Sequence, residues 1–157
     1  MKNIIKYSFV FSLILLMSSC FENPKLVYSG LTVVEFDRAV TTAPAAGRTY
    51  PLLPTINGAG ILKARINLVG GQRTSAENIK VSIVTDAGTA VSGTHFKLIT
   101  ETVSIPANSS FGELQIEILR VPPAAGQIRN IVLSLDGNGS DISGSANFKT
   151  LGWAIGL

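Results

Sequence analysis

Few residues in this chain of 157 have types and spacings that could do chemistry. His95 is the only histidine. As a general base it needs a nucleophile or a paired acid within hydrogen-bond reach, and the sequence places none beside it. Glu113 and Glu117 fall on one side of an alternating segment. Strand rise puts them about 13 Å apart, too far to serve as a glycosidase pair. Asp136, Asn138 and Ser140 stand at alternate places, as at the start of a calcium loop. The sixth place is Asp141 instead of glycine and the twelfth is Asn147 instead of glutamate, so the segment reads as a strand connection. Tyr28, Tyr50 and Trp153 have rings that could stack on sugars. Trp153 shares its side with Leu151 and Ile155 and is assigned to the core, which leaves Tyr28 and Tyr50 as candidate ligand-binding residues. There is no Gly-x-Ser-x-Gly elbow, His-Glu-x-x-His motif or cysteine cluster. The glycine-rich segments lie between strands, with no helix N-terminus to receive a phosphate. No catalytic residue, metal site or cofactor is expected.

The elements that would position these residues are strands. Residues 75–120 organise the chain. In residues 78–85, Ile79, Val81 and Ile83 alternate with Lys80 and Ser82; in residues 113–118, Leu114, Ile116 and Ile118 alternate with Glu113, Gln115 and Glu117. A repeat of two marks a strand with one buried and one wet face, and these two segments are read as parts of one half-buried antiparallel sheet. Residues 31–36, rich in β-branched residues, read as the first strand. Residues 37–48 read as a small-residue connection, and residues 49–56, with Pro51 and Pro54, as an edge strand. Asn57-Gly58-Ala59-Gly60 is a hairpin signal. It leads into residues 61–69, where Leu62, Ala64, Ile66 and Leu68 alternate with Lys63, Arg65 and Asn67. Further strands are predicted over 129–135 and 148–157, with residues 136–145 as turn. The expected fold is all-β, an immunoglobulin-like antiparallel β-sandwich of about seven to eight strands, with no amphipathic helix.

The N-terminus carries an address. Lys2 and Lys6 precede an apolar run over residues 9–17, about half the length needed to span a bilayer. This is signal-peptide anatomy. The ending Leu16-Met17-Ser18-Ser19-Cys20 resembles the bacterial lipobox, which implies acylation of Cys20. The expected organisation is a lipoprotein signal peptide over 1–19, an acylated tether over 20–29 and a β-sandwich domain over 30–157. Cys20 is the sole cysteine, so no disulfide can form within the chain. Without the leader, the 13 basic residues fall to 11 against 10 acidic ones. A nearly neutral chain without a basic cluster is no partner for nucleic acid, and its expected membrane link is the acyl anchor.

Four short motifs together resemble the Calx-beta family and its lipoprotein relatives in Bacteroidota. They are Ile79-Lys80-Val81-Ser82-Ile83 followed by Gly88-Thr89-Ala90; the corner Gly93-Thr94-His95-Phe96; Val103-Ser104-Ile105-Pro106-Ala107; and Ser109-Ser110-Phe111-Gly112. The resemblance spans roughly residues 31 to 135. It implies a Greek-key sandwich with an interaction or structural role, and it makes His95 a corner residue whose side chain bonds local backbone. Calcium-binding members place acids in the corner and after the Ile-x-Ile strand. Here those places hold His95 and Leu119-Arg120-Val121, so the resemblance implies no calcium there.

The resulting expectation is an outer-membrane lipoprotein of the cell envelope that binds or scaffolds without catalysis, its partner a protein or a glycan, as an accessory to surface glycan uptake or adhesion. Docking of a partner strand on an exposed sheet edge is a variant of this reading. The alternative is an envelope hydrolase using His95 or surface carboxylates.

Overall fold

The computed structural model describes residues 30–157. The signal segment, Cys20 and Tyr28 lie outside the described residues.

Among the described residues, ten strands, one short α-helix and a 3-10 turn (Thr85–Ala87, between β4 and β5) follow one another: β1 (Thr32–Phe36), α1 (Asp37–Thr41), β2 (Leu52–Ile56), β3 (Gly60–Val69), β4 (Glu77–Ile83), β5 (Phe96–Leu98), β6 (Thr102–Ile105), β7 (Phe111–Ile118), β8 (Ile128–Gly137), β9 (Ile142–Gly144) and β10 (Thr150–Gly156). They form two five-stranded sheets, β5-β7-β3-β1-β9 and β2-β10-β8-β4-β6. Odd strands build one sheet and even strands the other. The chain therefore changes sheet at every connection, and no two consecutive strands pair.

The all-β sandwich is what the alternation requires, because each strand has one apolar side to bury. The buried set comes from both inner faces, with Val34, Phe36, Ile66, Phe96, Leu114 and Ile116 meeting Ile79, Val103, Ile131, Leu133, Leu151 and Trp153. Among the described residues, every buried side chain in this core is apolar. Trp153 is 4% exposed, within the core as assigned.

Several local expectations change. β4 and β7 lie in different sheets; an alternating strand can bury its apolar side against a facing sheet as readily as it can pair with a neighbour. Asn57-Gly58-Ala59-Gly60 makes a tight turn, with the Ala59 N–H donating to the Ile56 carbonyl, but it carries the chain from β2 to β3 in the other sheet. The Asn57 N–H donates to the Gly156 carbonyl and its side chain is bonded to Val121, so the turn joins the two sheets instead of closing a hairpin. Among the described residues no two consecutive strands pair, so the Greek-key sandwich implied by the family resemblance lacks hairpin-connected strands. The sheets are mostly antiparallel, yet β1 pairs parallel with β9 and β2 parallel with β10. β9 lies inside the segment read as turn, and α1 inside the segment read as connection. Both are short, and Ala39 and Ile142 are their only fully buried side chains. Ile83, the last residue of β4, is 37% exposed although it continues the alternation of the buried Ile79 and Val81.

Candidate functional site

The outer face of the odd-numbered sheet carries the arrangement with most to offer a ligand. On β7 the wet side is Phe111, Glu113, Gln115 and Glu117; on β3 it is Ile61, Lys63, Arg65 and Asn67. The antiparallel register sets Arg65 opposite Glu113 and Asn67 opposite Phe111. Phe111 is 48% exposed, and the Arg65 guanidinium carbon stands 3.6 Å from its ring centroid, a stacking distance. Arg65 is held at a second point by its Nε, which donates to Asn67 Oδ1 at 3.2 Å. Asn67 in turn donates through Nδ2 to Asp37 Oδ1, also at 3.2 Å.

Glu113 takes Lys63 Nζ at 2.9 Å and Gln115 Nε2 at 3.1 Å on the same oxygen, Oε1. Hydrogen bonding by Lys63 and then by Gln115 holds its carboxyl below the ordinary glutamate value. A carboxyl shifted in that direction is poorly placed to donate a proton to a leaving group.

Beside this face the two sheets come together at one side of the sandwich. Gly112 on β7 lies so near β6 that a Cβ there would stand 2.9 Å from Val103 Cγ1 and 3.0 Å from Ile105 Cγ1. The close approach requires glycine, and it leaves two shallow depressions along β6 and β7. One, of about 420 Å³, is bounded by Arg65, Ser104, Pro106, Phe111, Gly112 and Glu113. The other, of about 400 Å³, is bounded by Ile99, Thr100, Thr102, Val103, Ser104, Glu113 and Gln115. They share Ser104 and Glu113 and so adjoin, together making a groove along β6 and β7. An aromatic ring at one end, hydroxyls along one wall, and a guanidinium, carboxylate and amide along the other match what a pyranose offers, an apolar face with hydroxyls around its edge.

The chain matches no family model and no curated protein. Among solved structures it is similar to a crystal structure of a Bacteroides ovatus protein whose carbohydrate-binding role is itself a proposal, with a TM-score of 0.52 at 10% identity. The match covers 78% of this chain and 36% of that one, so this chain spans little more than a third of its length. The likeness shows the fold.

Residues singled out from sequence are dispersed. Tyr50 stands just before β2, at the opposite edge of the even-numbered sheet from β6. Its hydroxyl accepts from Arg48 Nη1 at 2.6 Å, and the same guanidinium lies 5.5 Å from its ring centroid. The structure does not bring it to the groove. His95 has the corner role: its Nδ1 accepts the Val91 N–H at 3.0 Å, four residues back. No acid or hydroxyl bonds its imidazole among the described residues. A compact apolar cavity of about 270 Å³ lies behind the same corner, between Val91, Phe96 and Ile131. At the 136–141 turn, Asn138 Oδ1 accepts the N–H groups of Ser140 and Ile142, while Arg73 pairs with Asp141 at 2.6 Å. Hydrogen bonding by Asn138, with the Arg73 charge, holds the Asp141 carboxyl below its ordinary value. The turn is tied to itself and, through Asn138 and Asp141, to Glu77 and Arg73, and among the described residues no group of three acids or histidines could hold a metal.

Sequence reasoning missed Phe111 and Arg65. The signal was available: extending the alternation of residues 113–118 two places back sets a large aromatic among Glu113, Gln115 and Glu117 on the wet side. An aromatic on the wrong side of a strand is the informative exception.

Proposed function

We propose that this chain is a lipid-anchored protein of the cell envelope that binds polysaccharide at the Phe111–Arg65 groove and does not cleave it. The observation that carries the binding reading is the half-exposed Phe111, its ring braced by Arg65, at one end of a polar groove. A flat aromatic that stays in water gains little for the fold and much for a ring that stacks on it. The shallow form of the groove along β6 and β7 suits a stretch of chain more than an enclosed small molecule. Support for a non-catalytic role comes from the engaged, acid-shifted Glu113 and from a histidine committed to backbone. Anchoring through Cys20 rests on the lipobox-like sequence and the small residues that precede it.

The test is retention in gels cast with soluble polysaccharides. The full-length chain should be retarded by at least one of a panel, and Phe111→Ala should weaken retention about tenfold, equivalent to about 1.4 kcal/mol, without lowering the melting temperature. Tyr50→Ala, at the far edge, should leave retention unchanged. If no polysaccharide retards the wild type, the reading fails. Membrane fractionation of wild type against Cys20→Ala tests the anchor, and a wild type found in the soluble fraction would remove it.

A further inference from the structure

Among the described residues, Arg65 is a fixed cation without a counter-ion. Its Nε is used by Asn67 and its plane rests on Phe111, so the side chain is pinned at two points. Its two terminal nitrogens, Nη1 and Nη2, donate to no described residue. The usual neutralising partner stands directly opposite: Glu113 is the cross-strand neighbour of Arg65. That carboxylate instead takes the diagonal Lys63 and the neighbouring Gln115. Asp37, the next nearest acid in the hydrogen-bond chain, is reached only through Asn67. Arg65 lines the groove together with Ser104 and Phe111.

A guanidinium presents two parallel N–H donors that match the two oxygens of an acid group. Being already held by ring and amide, it loses little conformational freedom on forming that bond. A neutral sugar would offer it only neutral acceptors. We infer that the groove selects acidic polysaccharide, with the anionic substituent of one sugar received by the free edge of Arg65 while that sugar's ring lies against Phe111. This rests on the glycan reading above. Glu35 on β1 and Glu113 and Glu117 on β7 share the sheet face with Lys63 and Arg65, and Asp37 on α1 is bonded to Asn67 of that face, so the face has no broad positive field. Selection is therefore short-range and needs the sugar as well as the charge.

The experiment is gel retention and calorimetry of the full-length chain in detergent with four probes. These are polygalacturonate (carboxylate), dextran sulfate (sulfate), neutral dextran, and polyglutamate as a polyanion without sugar. Retention by polygalacturonate or dextran sulfate, and by neither dextran nor polyglutamate, is expected, and the arm that binds identifies the substituent. Arg65→Gln should lower that affinity at least tenfold. Arg65→Lys, which keeps the charge and loses the fork, should recover less than half of the loss on a logarithmic scale. Lys80→Gln, on the outer face of the other sheet, should change nothing. Polyglutamate binding as tight as polygalacturonate would overturn the proposal. So would retention by dextran that is insensitive to Arg65→Gln but lost in Phe111→Ala, an outcome that leaves the glycan reading standing. Absence of retention by every polysaccharide removes both.

Discussion

The side-chain amide of Asn57 is joined to the backbone of Val121, 64 residues further on, by two hydrogen bonds. Its Nδ2 donates to the Val121 carbonyl at 2.8 Å, and the Val121 N–H donates to its Oδ1 at 2.9 Å. This clamp ties the β2–β3 turn to the segment leaving β7, two places where the chain crosses between sheets. Asn57→Ala would leave a part-buried donor and acceptor on Val121 unpaired, at a cost of about 1–3 kcal/mol. Urea unfolding should show a lower midpoint at unchanged slope. A variant as stable as wild type would mean that water replaces the amide without loss.

Gly112→Ala addresses the contact on which the groove is built. Its Cβ would press on Val103 and Ile105, both buried and unable to retreat, and would stand 3.1 Å from the Ser104 carbonyl. Overpacking of this kind costs about 1–3 kcal/mol. Polysaccharide retention should weaken with it, since β6 must move away from β7. Full stability with full retention would show that the sheets close more loosely here than the contact distances imply.

Trp153 is the sole tryptophan and lies on the inner face of β10. Its emission should be blue-shifted and resist acrylamide quenching in the folded chain, shift red on unfolding, and remain unchanged when polysaccharide is added. Trp153→Ala should cost about 3–5 kcal/mol, and Trp153→Phe less. A ligand-dependent change in emission would contradict its place in the core.

Glu35 on β1 supplies a pH dependence. Burial raises its carboxyl above the ordinary value, the Asp37 charge adds to the rise, and a hydrogen bond with Asn67 opposes it. Above both the folded and unfolded values Glu35 is ionised in either state, and folding bears the cost of the charge. As pH falls through the raised folded value that cost is relieved, and below the unfolded value, near pH 4, the relief is complete. Glu35→Gln should therefore be slightly more stable than wild type at pH 7, within about 0.5 kcal/mol, and lose the advantage at pH 3.5. Denaturant titrations at the two pH values check the sign. A less stable variant at pH 7 would mean that the ionised carboxylate's bond with Asn67 outweighs its desolvation.

Much of the chain's local order is legible without coordinates. Leu62, Ala64, Ile66 and Leu68 alternate with Lys63, Arg65 and Asn67, and the strand they describe is β3. The same holds for Ile131, Leu133 and Leu135 on β8 and for Leu151, Trp153 and Ile155 on β10. The edge position of β2 follows from Pro51 and Pro54. His95 at its corner is a local matter too, since its partner Val91 is four residues away. The groove was not legible in the same way. Phe111 and Arg65 are 46 positions apart in sequence, and nothing near either one announces the other.

The division has a physical cause. Alternation and turn chemistry are written in residues close together in the chain, because side-chain direction in a strand depends only on its own backbone. Composition and a period of two thus determined an all-β sandwich and the inward side of each long strand. Which strand pairs with which is a different kind of quantity: an apolar face is equally satisfied by many facing partners, and backbone ladders carry almost no sequence preference. Only the tertiary structure decided that odd and even strands part into separate sheets, that β1 and β2 each take a parallel neighbour, and that Gly112 lets β6 close on β7. That close approach, with the register placing Asn67 across from Phe111 and Arg65 one pleat away, is what turns scattered surface residues into a candidate site.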